Sequence, residues 1–204
     1  MAGESLCGHP VMPISYLIDA QGWCAGARRV SSPNCDARSQ PVDMIVIHNI
    51  HLPPQPPGTR EFAGDDIERL FTNSLNPLAH PAYPELALLR VSAHFLIRRN
   101  GELIQFVSCA ERAWHAGVSS WAGRERCNDF SVGIELEGSD YVAFEPIQYG
   151  VLQQLVDALQ QRYPIAHLVG HQDIAPARKT DPGPYFDWLQ LQAQRMKLRP
   201  AGNE

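Results

Sequence analysis

The sequence predicts an α/β fold, a single domain whose central mixed β-sheet is flanked by helices. Three observations lead there. The run Met44-Ile-Val-Ile47 is continuous and largely β-branched, as in a strand buried on both faces. Two strand-like stretches, 91–98 and 102–107, flank Asn100-Gly101, a strong hairpin signal. Residues 146–163 open on Pro146 and place Leu152, Leu155, Val156 and Leu159 along one stripe, as in an amphipathic helix.

The other elements follow in chain order. Residues 1–41 are irregular, with a short edge strand expected at 14–18 and a turn at 31–34. His48 is expected where the first central strand ends, and the prolines of 51–60 then impose a loop. Residues 65–75 read as a helix, with Ile67, Leu70 and Phe71 on one face and Asp65 and Asp66 in its first turn. Pro77, Pro81 and Pro84 break the next stretch, and Pro84 opens a short helix over 84–89. In the strand 130–136, alternation puts Val132, Ile134 and Leu136 on one face and Ser131, Gly133 and Glu135 on the other. A short strand at 168–169 ends at Gly170-His171, a loop covers 172–183, and a helix is expected over 185–196 before a frayed tail at 197–204.

Composition narrows the function. The 204 residues carry 17 Lys and Arg against 22 Asp and Glu, a net charge of -5, which offers no electrostatic footprint for nucleic acid. No apolar run reaches the roughly 18–20 residues that cross a bilayer. Residues 1–10 lack the basic and apolar regions of a signal peptide, so a cytoplasmic location is expected. The five cysteines, Cys7, Cys24, Cys35, Cys109 and Cys127, are odd in number and form no CxxC. That argues against a disulfide framework and a zinc finger. GxGxxG, Walker A and GxSxG patterns are absent, which disfavours nucleotide enzymes and serine hydrolases.

Histidines carry the chemical signal. His48 either closes its strand as a polar residue or presents a ligand at the strand's carboxyl end, where open α/β sheets hold their sites. His171 follows a similar short apolar run, and Asp181 lies in the stiff segment Asp181-Pro-Gly-Pro184. Two imidazoles and a carboxylate suit catalytic zinc with one position left open, although ligands from separated segments are a weaker sign than HExxH. Glu135 and Glu137 share a face, and either could serve as a general base in a cleft or simply face solvent. Lys179 reads as a solvated loop lysine or as a group that stabilises a developing oxyanion. His94 and His115 read as structural histidines or as pocket lining. Arg90, Arg98, Arg99, Arg112, Arg124 and Arg126 form a local basic excess suited to a carboxylate-bearing substrate.

Several of these segments occur together in one known family. The runs Ile45-Val-Ile-His-Asn-Ile50, Arg90-Val-Ser-Ala-His-Phe-Leu-Ile97, Arg112-Ala-Trp-His-Ala-Gly117, Gly133-Ile-Glu-Leu-Glu-Gly138, Gly170-His-Gln-Asp173 and Arg178-Lys-Thr-Asp-Pro-Gly-Pro184 resemble the zinc-dependent N-acetylmuramoyl-L-alanine amidases. The likeness is greatest to the AmpD-type 1,6-anhydro-N-acetylmuramyl-L-alanine amidases. It implies the mixed-sheet fold shared with phage lysozyme-like amidases and peptidoglycan recognition proteins, in one domain over 1–204 with its core at about 16–189. It also implies His48, His171 and Asp181 as ligands of one zinc ion, Glu135 as the catalytic glutamate and Lys179 as its assistant at the scissile carbonyl. Asn49, Arg90 and Arg126 would then contact an anhydromuropeptide substrate, with no obligate protein partner. An amidase acting on intact peptidoglycan and a non-catalytic muropeptide-binding protein are the alternatives.

Overall fold

The structure, a computed structural model, describes residues 16–54, 56–57 and 61–191. It opens with an antiparallel pair, β1 (Leu17–Ile18) and β2 (Cys24–Ala25), followed by β3 (Arg28–Arg29) and β4 (Cys35–Ala37). The first long strand is β5 (Met44–Ile50), and two short helices, α1 (Asp66–Phe71) and α2 (Tyr83–Leu86), come after it. The hairpin strands are β6 (Phe95–Ile97) and β7 (Leu103–Gln105), joined through Asn100-Gly101 by bonds from Gly101 N to Arg98 O and from Arg98 N to Glu102 O. Next come β8 (Glu111–Ala113), β9 (Ser120–Trp121), β10 (Arg124–Glu125) and a 3-10 turn at Cys127–Asp129. The chain finishes its described part with β11 (Ser131–Glu137), α3 (Pro146–Arg162), β12 (His167–Gly170) and α4 (His171–Ile174).

Six strands form the main sheet in the order β12-β5-β11-β6-β7-β3. Pairs β12–β5, β5–β11, β11–β6 and β7–β3 are parallel, and the β6–β7 hairpin is antiparallel, so the sheet is mixed as expected. The small pairs β4–β8 and β9–β10 lie outside it.

Strand parity divides the interior. Ile45 and Ile47 of β5, Val132, Ile134 and Leu136 of β11, and Phe95 and Ile97 of β6 face one way, onto Leu152, Leu155, Val156 and Leu159 of α3. Met44, Val46, Phe130 and Val169 gather on the opposite face, and so do Leu96, Ile104 and the α1 residues Ile67, Leu70 and Phe71. One long helix therefore covers one face. Short helices and loops cover the other, and that irregular face holds the polar groups considered below.

Several boundaries differ from the sequence-based expectations. β5 continues two residues past His48, because the β11 ladder pairs as far as Ile50. The helix expected at 65–75 ends at Phe71, since Asn73 takes a left-handed φ of 59°. The short helix expected at 84–89 starts at Tyr83 and stops at Leu86. The loop expected at 172–183 begins inside a helical turn, α4, where the Asp173 carboxylate accepts from Gly170 N–H at 2.7 Å. Of the edge strand expected at 14–18, β1 covers Leu17 and Ile18, and the rest lies outside the described residues. The C-terminal helix is present over 188–191, and its continuation and the tail lie outside the described residues. No helix among the described residues is long and apolar enough to cross a membrane.

Leu155 is fully buried between α3 and the sheet, whereas Leu88 is 75% exposed. Leu155→Ala should lower unfolding free energy by about 2–5 kcal/mol. Leu88→Ala should stay within about 0.5 kcal/mol of the parent. Urea denaturation followed by circular dichroism checks both.

Candidate functional site

The parallel strands β12, β5 and β11 deliver the site at their carboxyl ends. His48 shares its parity with Met44 and Val46, so it projects onto the irregular face. Glu135 lies directly opposite His48 in the β11–β5 register and projects to the same side. β12 pairs with β5 up to Gly170, and His171 begins α4 immediately after.

Asp181 arrives on a loop fastened at several points. Gln172 N donates to Asp181 O at 2.9 Å. Asn49 Nδ2 donates to Pro182 O at 3.0 Å and to Asp140 Oδ1 at 2.7 Å, and Thr180 Oγ1 donates to Asp140 Oδ2 at 2.5 Å. A side chain at Gly170 would place its Cβ 2.7 Å from Pro182 Cδ, so the loop's approach requires glycine there.

Three donor atoms converge. His48 Nδ1 lies 3.0 Å from His171 Nδ1 and 2.9 Å from Asp181 Oδ2, and His171 Nδ1 lies 3.0 Å from the same oxygen. His48 and His171 are almost fully buried, and the Asp181 side chain is 14% exposed. His171 Nε2 lies 3.0 Å from the Ala116 carbonyl oxygen, which can only accept, so Nε2 carries the ring proton. With one proton on the ring, its Nδ1 turns a lone pair toward a carboxylate oxygen and a second imidazole. Electron-pair donors packed this closely call for a cation among them. Two imidazole nitrogens and one carboxylate oxygen are the donor set of a three-ligand zinc site. His48, His171 and Asp181 are thus poised to coordinate a single Zn²⁺.

Glu135 is buried, and among the described residues its Oε2 has no hydrogen-bond partner. Burial, reinforced by the Asp181 charge and opposed by Lys179, holds its carboxyl well above the usual carboxylate range. Glu137 has a different task. It accepts from Arg98 Nη1 at 2.9 Å and from Arg99 N at 3.1 Å, a buried structural pairing. The two glutamates that the strand pattern left equivalent are therefore distinct.

Lys179, Asn49 and Asp181 line a cleft of about 510 Å³ together with Asp140 and Tyr141. Arg126 is 69% exposed and lines a neighbouring, more apolar cleft of about 750 Å³ with Val118, Ile174 and Ala177. Arg178 borders both clefts, and its Nη2 is fixed on the carbonyls of Ala116 and Val118 at 2.8 Å.

Other expected residues lie elsewhere or act differently. Arg90 folds back onto the carbonyls of Ala87 and Leu89 and borders neither cleft. The arginine-rich segment is largely neutralised inside the molecule: Arg98 pairs with Glu68 and Glu137, Arg99 with Glu145, Arg112 with Asp36 and Asp129, and Arg124 with Asp43. His94 is fully buried beneath the site. Its Nδ1 accepts from Gly133 N at 3.0 Å, and its Nε2 lies 3.1 Å from Glu111 O. His115 lies at the site itself, its Nδ1 3.0 Å from His48 Nε2. Asp140 and Arg178 escaped the sequence reading because their partners are distant in the chain.

Similarity to known proteins agrees with this geometry. The sequence profile of the N-acetylmuramoyl-L-alanine amidase family matches residues 38–184. The chain is 53% identical over 179 residues to the 1,6-anhydro-N-acetylmuramyl-L-alanine amidase AmpD of Escherichia coli strain K12, covering 86% of this chain and 95% of that one. It superposes on a crystal structure of an AmpD derivative with a TM-score of 0.81 at 54% identity, over 87% of this chain and 98% of that one. The E. coli amidase AmiD, solved in complex with anhydro-N-acetylmuramic acid-L-Ala-D-gamma-Glu-L-Lys, matches at 31% identity and a TM-score of 0.55. That match covers 88% of this chain and 65% of AmiD.

The buried His94 gives the fold a pH dependence whose sign follows from linkage. Burial, helped by the Arg38 charge, holds its pKa down to about 3, whereas the unfolded chain protonates it near 6.5. Between those values the unfolded state binds more protons. Its contribution is thus complete above about pH 6.5 and declines as pH falls, by about 1.4 kcal/mol per pH unit. Urea midpoints of the zinc-free protein should drop between pH 7 and 5, with a shallower slope in His94→Asn.

Proposed function

The chain belongs to the N-acetylmuramoyl-L-alanine amidase family, and we propose that it hydrolyses the amide between the lactyl group of 1,6-anhydro-N-acetylmuramic acid and the L-alanine of the stem peptide, in cytoplasmic recycling of wall fragments. The observation that carries this reading is the triangle of His48 Nδ1, His171 Nδ1 and Asp181 Oδ2, with Glu135, whose Oε2 has no partner among the described residues, opposite His48 across the ladder. One domain holds the whole arrangement.

Zinc, when bound by His48, His171 and Asp181, supplies a Lewis acid that polarises the amide carbonyl and makes a water molecule acidic near neutral pH. Glu135 removes a proton from the attacking water. Its raised affinity for protons suits that exchange better than an ordinary surface carboxylate would. The water oxygen bonds to the carbonyl carbon, and Lys179 stabilises the charge that develops on the carbonyl oxygen. Glu135 then returns its proton to the alanine nitrogen as the carbon–nitrogen bond breaks. The products are an anhydromuramyl saccharide and a free peptide, and no covalent enzyme intermediate is required.

The two clefts meeting at Arg178 give an extended glycopeptide room on both sides of the scissile amide. Arg126, exposed and next to an apolar wall, is suited to the carboxylates of the stem peptide. Asn49 bears on binding through the loop it holds, and Arg90 would have to leave its own turn to take part.

Release of free peptide from a purified anhydromuropeptide, abolished by chelator and restored by zinc, tests the reaction. Activity confined to insoluble peptidoglycan would overturn the recycling role. Glu135→Gln should retain its zinc while turnover falls by about 10²–10⁴-fold. Asp181→Ala should instead lose zinc, measured as metal content per chain after dialysis.

A further inference from the structure

We propose that His115 is a positioning residue for the metal centre: with Ser131 it forms a directed hydrogen-bond chain that fixes the tautomer of His48. This rests on the assignment of His48 as a ligand. Direction enters at the far end of the chain. The Ser131 hydroxyl has one proton and donates it to Cys127 O at 2.6 Å. Toward His115 Nε2, 3.1 Å away, the serine oxygen must therefore accept, so His115 Nε2 bears the proton. With one proton per ring, His115 Nδ1 is bare and accepts from His48 Nε2 at 3.0 Å. His48 then turns a bare Nδ1 toward His171 and Asp181, the form a ligating imidazole needs.

The fold is shaped to hold this chain. A Cβ at Gly133 would lie 2.4–2.7 Å from the His115 ring, so glycine in β11 gives the ring its place against the strand. The backbone nitrogens of His115 and Ala116 both donate to Asn128 Oδ1, at 3.2 and 2.8 Å. The rings of His115 and His48 meet nearly perpendicular, at 86°. His171 uses a backbone carbonyl for the same purpose, so the two imidazoles are oriented by different acceptors.

A packing role and an orienting role predict opposite orders of two variants. Phenylalanine at 115 keeps the ring and removes the acceptor. Asparagine loses the ring but can place a carboxamide oxygen near the position of Nδ1. Zinc affinity is read by competition with a chromogenic chelator, beside urea midpoints of the zinc-free proteins. His115→Phe should weaken zinc binding by about 10–100-fold, and His115→Asn should recover most of it. Nitrogen-15 NMR of the zinc-free parent should find the His48 proton on Nε2, and Ser131→Ala should yield a mixture of tautomers. Equal zinc affinity in the Phe and Asn variants, or a His48 proton on Nδ1 in the parent, would overturn the proposal. If His115→Phe does not fold, Ser131→Ala decides through the same two readouts. A parent that binds no zinc refutes the metal reading alone, because the zinc-free tautomer still reports on the chain.

Discussion

The register of β11 on β5 is the constraint on which the site depends. Because the two strands run parallel with Glu135 opposite His48, one ladder fixes an acid and a ligand side by side on one face. The same ladder sends Ile45, Ile47, Val132, Ile134 and Leu136 to the other face, where α3 covers them. A slip of one residue would exchange those faces, burying an acid among leucines and setting isoleucine among the polar groups of the site. The geometry of core and site is thus set by the same hydrogen bonds, and the apolar face guards the register that the polar face uses.

What the sequence revealed follows from this. β5, the hairpin and α3 were legible because each carries its own period or turn chemistry over several residues. His48, His171 and Asp181 were legible as residue types at the ends of apolar runs or in a stiffened loop, and the family motifs then joined them into one ligand set. The short strands β3, β4 and β8 were not legible, since they exist only through partners elsewhere: β4 with β8, and β3 on β7. Nor could a strand pattern separate Glu135 from Glu137. Arg98 draws one into an ion pair and leaves the other unpaired, a distinction made entirely by tertiary contacts. The arginine excess looked like a substrate-facing patch for the same reason, because its acidic partners come from many distant segments.

The supporting polar groups share a style. Asp140 fastens the Asp181 loop through Asn49 and Thr180, Asn128 fastens the backbone at His115, and Arg178 fastens the segment 116–118. Each ties irregular backbone to another part of the fold with directed hydrogen bonds. The face without a long helix therefore gains definition from side chains, and loops there can present ligands as a regular element would.

His48 and Asp181 are 133 positions apart in the chain yet 2.9 Å apart in space. During synthesis the strand bearing His48 emerges 133 residues before its partner carboxylate. Until Asp181 has been made, a nascent chain therefore contains only part of the coordination set, and it cannot hold an ion in the final geometry before the β12 segment has docked. Once the set is complete, a bound ion would join β5 to α4 and to the loop that follows it. Bound metal would then add resistance to unfolding that rises with the logarithm of its free concentration, beyond what the sheet and α3 provide.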